Sequence, residues 1–244
     1  MWKFIPIFLI STALQAQFTY VQGGIIRGDS ARKELALAFT GHDHSEGAEA
    51  VLRALHPEKA TFFLTGDFYR NKGELVKEMA AAGHYMGAHS DQHLLYCAWE
   101  KRDSTLLSKD AFFSDLEANH LAMKAYDISP AKYFMPPYEW YNTTISDWAK
   151  EAGVQIVNFT PGTLSNADYT TPSMPNYRSS ERIHTSILER EKKAGLNGYM
   201  LLIHLGTSPE RQDKYYHRLP ELLRYLKGRG YAFVTVEDLL KKRP

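Results

Sequence analysis

The sequence predicts an α/β fold with a mainly parallel sheet in a single domain, and three observations lead there. Seven apolar runs of strand length alternate with segments of helical period. The composition is globular, 44% hydrophobic and 23% charged over 244 residues. No Gly/Ser/Pro-rich linker or charge run divides the chain, and α/β barrels commonly reach this length as one unit. In order, the predicted strands are Glu34 to Phe39, Ala60 to Leu64, His84 to Ala88, Ala131 to Phe134, Val154 to Asn158, Tyr199 to Ile203 and Tyr231 to Thr235. Between them the spacing predicts helices over Ala48 to Leu55, Gly73 to Ala82, Ser108 to Tyr126, Thr143 to Ala152, Ser180 to Ala194 and His217 to Lys227. Ser108 is placed to cap the third helix, and Gly83, Gly153, Gly195 and Gly230 fall where helices should stop. Pro161 to Tyr177 remains a long polar loop, of the kind that often carries function.

The N-terminal residues are read apart from the fold. Lys3 precedes an apolar run from Phe4 to Leu14, and Ala16 supplies a small residue before Gln17. This is the pattern of a secretory signal peptide over 1–16, leaving 17–244 as the mature domain. The run is about half the length that spans a bilayer, so no stable membrane insertion is expected after cleavage. Lys plus Arg total 29 against 28 Asp plus Glu, and nothing concentrates positive charge, so nucleic acid is not an expected partner. The single cysteine, Cys97, has no disulfide partner within the chain and lies among apolar and aromatic residues, where a buried, inert thiol is expected.

In a parallel α/β sheet, functional groups collect where strands end. The first strand is followed by His42-Asp43-His44-Ser45-Glu46, the third by His89-Ser90-Asp91-Gln92-His93, the fourth by Met135-Pro136-Pro137-Tyr138-Glu139-Trp140, and the sixth begins its exit at His204. The H-x-x-x-H spacing is helical and lets two imidazoles face one metal. With one carboxylate, it would leave coordination positions open, as in a catalytic divalent site. The bland alternative is that His89 and His93 only cap a turn. Trp99, Tyr138, Trp140 and Tyr141 suit either stacking on sugar rings or ordinary packing.

These segments carry a resemblance. Lys59-Ala60-Thr61-Phe62-Phe63-Leu64-Thr65-Gly66, Gly83-His84 with the H-[ST]-x-x-H pair His89 to His93, and Leu201-Leu202-Ile203-His204 resemble the polysaccharide deacetylase family, carbohydrate esterase family four. The resemblance implies a distorted (β/α) barrel of about seven strands. It also implies an exported, metal-dependent hydrolase that removes acetyl groups from a polysaccharide or oligosaccharide. It further implies Zn²⁺ or another divalent ion held by Asp43, His89 and His93, with an acetylated glycan as partner. His42 would stand as general base, His204 as general acid, and the backbone N–H of Tyr138 as an oxyanion donor. Two departures stand out. The family's Thr-Phe-Asp-Asp-Gly is replaced by Ala38-Phe39-Thr40-Gly41-His42-Asp43, and its Arg-Pro-Pro-Tyr-Gly by Met135-Pro136-Pro137-Tyr138-Glu139. Losing the anionic base together with its cationic partner is coherent, because an Arg without its carboxylate would be an unpaired, desolvated charge. The base is then His42, Glu139 or Glu46. The contrasting expectation is a carbohydrate-binding protein on the same fold that has lost turnover.

Overall fold

The structure, a computed structural model, describes residues 18–242; the segment read as a signal peptide lies outside them. The chain opens with a hairpin, β1 (Thr19–Val21) and β2 (Gly24–Arg27). It continues β3 (Glu34–Gly41), α1 (Ala48–Leu55), β4 (Thr61–Leu64), α2 (Gly66–Asn71), α3 (Gly73–Ala81), β5 (Tyr85–Ala88) and α4 (Lys109–Lys124). Then come β6 (Tyr133–Phe134), α5 (Thr143–Glu151), β7 (Gln155–Ile156), α6 (Ser180–Ala194), β8 (Met200–His204), α7 (Leu219–Gly228), β9 (Ala232–Phe233) and α8 (Val236–Leu239). All seven expected strands are present, the later ones shorter than expected, and each predicted helix is found within about two residues of its expected bounds. The hairpin, α2 and α8 were not anticipated.

Seven strands form one parallel sheet in the order β7-β6-β5-β4-β3-β8, with β9 pairing the first residues of β3. Alternation along β3 explains its two faces. Leu35, Leu37 and Phe39 pack outward with the helices, whereas Ala36 and Ala38 point to a second, smaller core with Phe63, Met135, Val157, Met200 and Leu202. Small side chains on that inner face let the sheet curl into a distorted barrel. The seam between β7 and β8 has no ladder. Just beyond β7, Val157 bridges to Ile25 of β2 and the Asn158 N–H donates to the Ile25 carbonyl (2.9 Å), while the Thr160 N–H reaches the Met200 carbonyl of β8 (2.9 Å).

Register sets the functional rim. Gly41 pairs with Leu64, Leu64 with Ala88, Ala88 with Phe134 and Phe134 with Ile156, while Thr40 pairs with His204 on the other side. The strands therefore finish level, and His42, Thr65, His89 and Met135 follow at one end.

The exit of β8 is held close to the loop after β3. A Cβ on Gly206 would stand 2.5 Å from the Ser45 backbone nitrogen, so one backbone would have to move. Gly206→Ala is expected to cost about 1–3 kcal/mol as overpacking, lowering the melting temperature by several degrees in a thermal unfolding scan. An unchanged midpoint would mean the two backbones separate freely.

Candidate active site

The Gly41 end of β3 leads into His42, whose Nδ1 lies 3.2 Å from the Thr65 hydroxyl and whose Nε2 lies 3.3 Å from Asp43. Its ring stacks on His93, with centroids 4.8 Å apart and planes within 11°. His93 in turn packs edge-on to His89 at 5.0 Å and to Tyr138 at 4.5 Å. Three of the expected side chains, His42, His89 and His93, thus stand together, with the Tyr138 ring against them.

The segment between the two histidines is not helical, which corrects the spacing argument. Ser90 and His93 have left-handed backbones, φ 72° and 58°. This turn is stabilised from α4 by Asp115, a buried carboxylate accepting from the Ser90 hydroxyl (3.1 Å), the Asp91 N–H (3.0 Å) and the Tyr96 hydroxyl (2.7 Å). The pair converges through that loop instead of one helix face.

His89 is buried, and its Nδ1 lies 2.6 Å from the Met135 carbonyl. Donation to that carbonyl fixes the tautomer and leaves Nε2 as a lone pair. Burial, helped by neighbouring histidines, brings the pKa of His89 down to about 3 and that of His93 to about 2, so both imidazoles are neutral at ordinary pH. Neutral imidazoles, His89 with its tautomer set by a carbonyl, are the donor form a divalent ion requires. At these two positions the residues fit a metal.

Asp43 is placed differently. Its side chain is 74% exposed and, among the described residues, engages only His42. Among the described residues no three His, Cys, Asp or Glu side chains stand together as a metal-binding group. His42 does not complete the set in this arrangement, since its ring lies nearly parallel to that of His93 and their in-plane lone pairs do not converge. Near the end of β3, the Thr40 hydroxyl is buried without a hydrogen-bond partner among the described residues.

His204 receives a partner that its sequence neighbourhood does not reveal. Both Asp168 oxygens serve it: Oδ2 accepts from the backbone N–H (2.9 Å) and Oδ1 lies 2.7 Å from Nδ1. Asp168 is 2% exposed and arrives on a short 3₁₀ turn, Ser165–Tyr169, inside the long polar loop. Burial alone would lower the His204 pKa, but the charge and hydrogen bond of Asp168 overcome it and raise the net value. The loop's length was the only signal in the sequence.

Glu139 closes the arrangement. Tyr138 and Glu139 both adopt left-handed φ, 59° and 54°, after Pro136-Pro137, and this turns the half-buried Glu139 carboxyl inward. Its pKa rises to about 7, first through burial and then through repulsion from Asp168, with the His204 charge opposing. Glu46, the other carboxylate considered for the base, is committed elsewhere. It accepts from the Thr207 N–H (2.8 Å) and Lys214 Nζ (2.9 Å), contacts that outweigh burial and lower its pKa.

The polysaccharide deacetylase family pattern matches residues 27–157. An uncharacterised Bacillus subtilis protein, YlxY, is 29% identical over 201 residues, covering 82% of this chain and 54% of its own, so the chain spans about half that relative's length. A Bacillus cereus peptidoglycan-N-acetylglucosamine deacetylase is 28% identical over 213 residues, covering 86% of this chain and 89% of its own. Among solved structures, the Bc1960 peptidoglycan N-acetylglucosamine deacetylase superposes with a TM-score of 0.72 at 22% identity, over 88% of this chain and 91% of its own. BA3943 from Bacillus anthracis, a pseudoenzyme of carbohydrate esterase family four, superposes with a TM-score of 0.70 at 20% identity, over 91% and 70%. The parallel barrel, the histidine pair after β5 and the pattern match over more than half of the chain converge: this protein belongs to the polysaccharide deacetylase family.

Proposed function

We propose that the protein is an exported, metal-dependent hydrolase that removes acetyl groups from a glycan. The observation that carries this reading is the pair of neutral imidazoles, His89 and His93, beside the Asp168–His204 couple on one barrel rim. His89 and His93 would hold Zn²⁺ or a similar divalent ion, which when bound polarises the acetyl carbonyl and makes water nucleophilic near neutral pH. The chain's own groups handle the protons. Glu139, in its carboxylate form, accepts the proton of the attacking water. His204, held through Nδ1 by Asp168, donates from Nε2 to the departing sugar nitrogen or oxygen. The Tyr138 N–H is the donor assigned to the developing oxyanion. His42, with both ring nitrogens engaged and its face on His93, positions that ligand more than it moves protons. The apolar segment at 1–16 supports export.

Acetate release from acetylated peptidoglycan fragments, chitooligosaccharides and acetylated xylan, with added divalent metal and with chelator, tests the reading. Release that the chelator abolishes is expected. No release from any substrate by metal-loaded protein overturns it. In that case the second reading applies, a glycan-binding protein without turnover, which is favoured by the loss of the family's acid–arginine pair, with Met135 standing at the arginine position. His89→Ala and His93→Ala should each abolish binding of one divalent ion per chain while the fold persists. Elemental analysis of the purified variants reads this, and full occupancy in either removes that histidine from the site.

A further inference from the structure

Beside the histidines runs a cleft of about 310 Å³, lined among others by Tyr138, Trp140, Tyr169, Glu139, Asn166 and Arg102. It opens onto the catalytic rim at two places, because the Tyr138 ring packs against His93 at 4.5 Å and the Tyr169 ring against His204 at 5.5 Å. Its wall is aromatic, and Trp140 stacks on the half-exposed Trp99 at 5.9 Å. Aromatic faces with nearby polar groups are the surface a sugar ring recognises.

Arg102 gives this cleft a charge preference. Its guanidinium lies 4.3 Å from the Trp140 ring centroid and 5.2 Å from that of Tyr141, and its Nε donates to the Tyr141 carbonyl at 2.6 Å. Platform and hydrogen bond together fix the plane of the fork. Among the described residues, Nη1 and Nη2 have no hydrogen-bond partner and no carboxylate lies within ion-pair distance. Glu139, which lines the same cleft, is not paired with it. A guanidinium held flat at its inner edge with both outer nitrogens available is pre-organised for a planar, two-oxygen anion.

We propose that this cleft binds a carboxylate-bearing sugar next to the acetylated residue, with Arg102 receiving the carboxylate through its two outer nitrogens. The substrate class is then an acidic glycan, its carboxylate supplied by a lactyl ether or by a uronic acid. This rests on the preceding reading of the rim as an acetyl-glycan site.

The test measures binding by calorimetry, without requiring turnover. One arm compares a disaccharide of N-acetylglucosamine and N-acetylmuramic acid, lactyl carboxylate free, with its lactyl carboxamide. The other compares an N-acetylglucosamine–glucuronic acid disaccharide with its uronamide. In at least one arm the acid should bind at least about tenfold tighter than the amide. Raised salt should narrow the gap, and Arg102→Gln should bring the ratio close to one. The arm showing the preference identifies the source of the carboxylate. Equal binding of acid and amide in both arms by the unmodified protein, or no binding of any of the four, overturns the proposal. So does an undiminished preference in folded Arg102→Gln. The comparison in the unmodified protein stands even if that variant fails to fold. Discrimination without acetate release would overturn the deacetylase reading and leave this one intact, whereas acetate release from neutral glycans without discrimination would do the reverse.

Discussion

Asp168→Asn is expected to lower kcat by on the order of 10²–10⁴ while leaving the fold and metal content unchanged. The substitution is nearly isosteric, so the reason lies in donor and acceptor count. Asp168 accepts twice, from the His204 backbone N–H and from Nδ1. Asparagine offers one oxygen in place of two and puts an NH₂ in the other position. Either that NH₂ faces the backbone N–H or it faces Nδ1, and the second choice forces the proton onto Nε2 in the neutral ring. Removing the carboxylate also removes the influence that raises the His204 pKa. The sign follows directly. A general acid must be protonated, so activity is lost as pH climbs through its pKa, and in the variant the alkaline limb of kcat/KM should move to lower pH. A pH–rate profile that loses amplitude without moving its alkaline limb would show that His204 is not the acid.

Glu139→Gln is the second large effect expected, again about 10²–10⁴ in kcat. With its pKa raised to about 7, the carboxyl is protonated below that value and becomes a base above it. Activity of the unmodified protein should therefore rise as pH passes through about 7, and that acidic limb should vanish in the variant. The same shift bears on folding. Because the protonated form is favoured in the folded protein, Glu139 makes the fold progressively less stable as pH rises from its unfolded value of about 4.5 through 7, and Glu139→Gln should flatten that slope in denaturant titrations. His42→Ala is the comparison. Its loss should be smaller and accompanied by weaker metal binding, since it removes the ring stacked on His93. If His42→Ala abolishes turnover at full metal occupancy and Glu139→Gln does not, the base is the histidine at the end of β3.

The barrel was legible because its strands are apolar runs separated by helices of clear period, and because Leu35, Leu37 and Phe39 alternate with Ala36 and Ala38. Shorter features were not. The β1–β2 hairpin has exposed residues along β1 and too few residues for a periodic signal, although Gln22-Gly23 marks its turn. The helix α2 starts on Thr65, whose side chain accepts from the Phe68 N–H at 3.1 Å, a capping signal hidden by the strand it ends. At the site, His89, His93 and His204 could be found at strand ends. The conformation joining the first two could not, because Asp115, on a helix 24 residues after Asp91, sets it. Asp168 reaches His204 from 36 residues upstream, a pairing that no local pattern encodes. The register of the first motif was the weakest inference: His42, expected as base, stacks on His93, while Asp43, expected as a metal ligand, is exposed beside His42.

The seam between β7 and β8 bears on how the barrel breathes. Among the described residues the two edges meet directly only where the Thr160 N–H donates to the Met200 carbonyl and the Met200 N–H to the Thr160 hydroxyl, whereas β3 is laddered on both sides, so opening the seam breaks few backbone hydrogen bonds. Regions of that kind open with free energies well below global unfolding. The loop that carries Asp168 leaves directly from the seam at Thr160, so opening there should draw the carboxylate away from His204. Hydrogen exchange should find the amides of Asn158, Thr160 and His204 exchanging together and ahead of those in the middle of β3. A glycan bound in the cleft lined by Tyr138 and Tyr169 should slow all three in concert. If so, His204 keeps its Asp168 partner only while the barrel is shut, and the readiness of the proposed acid would follow the presence of glycan.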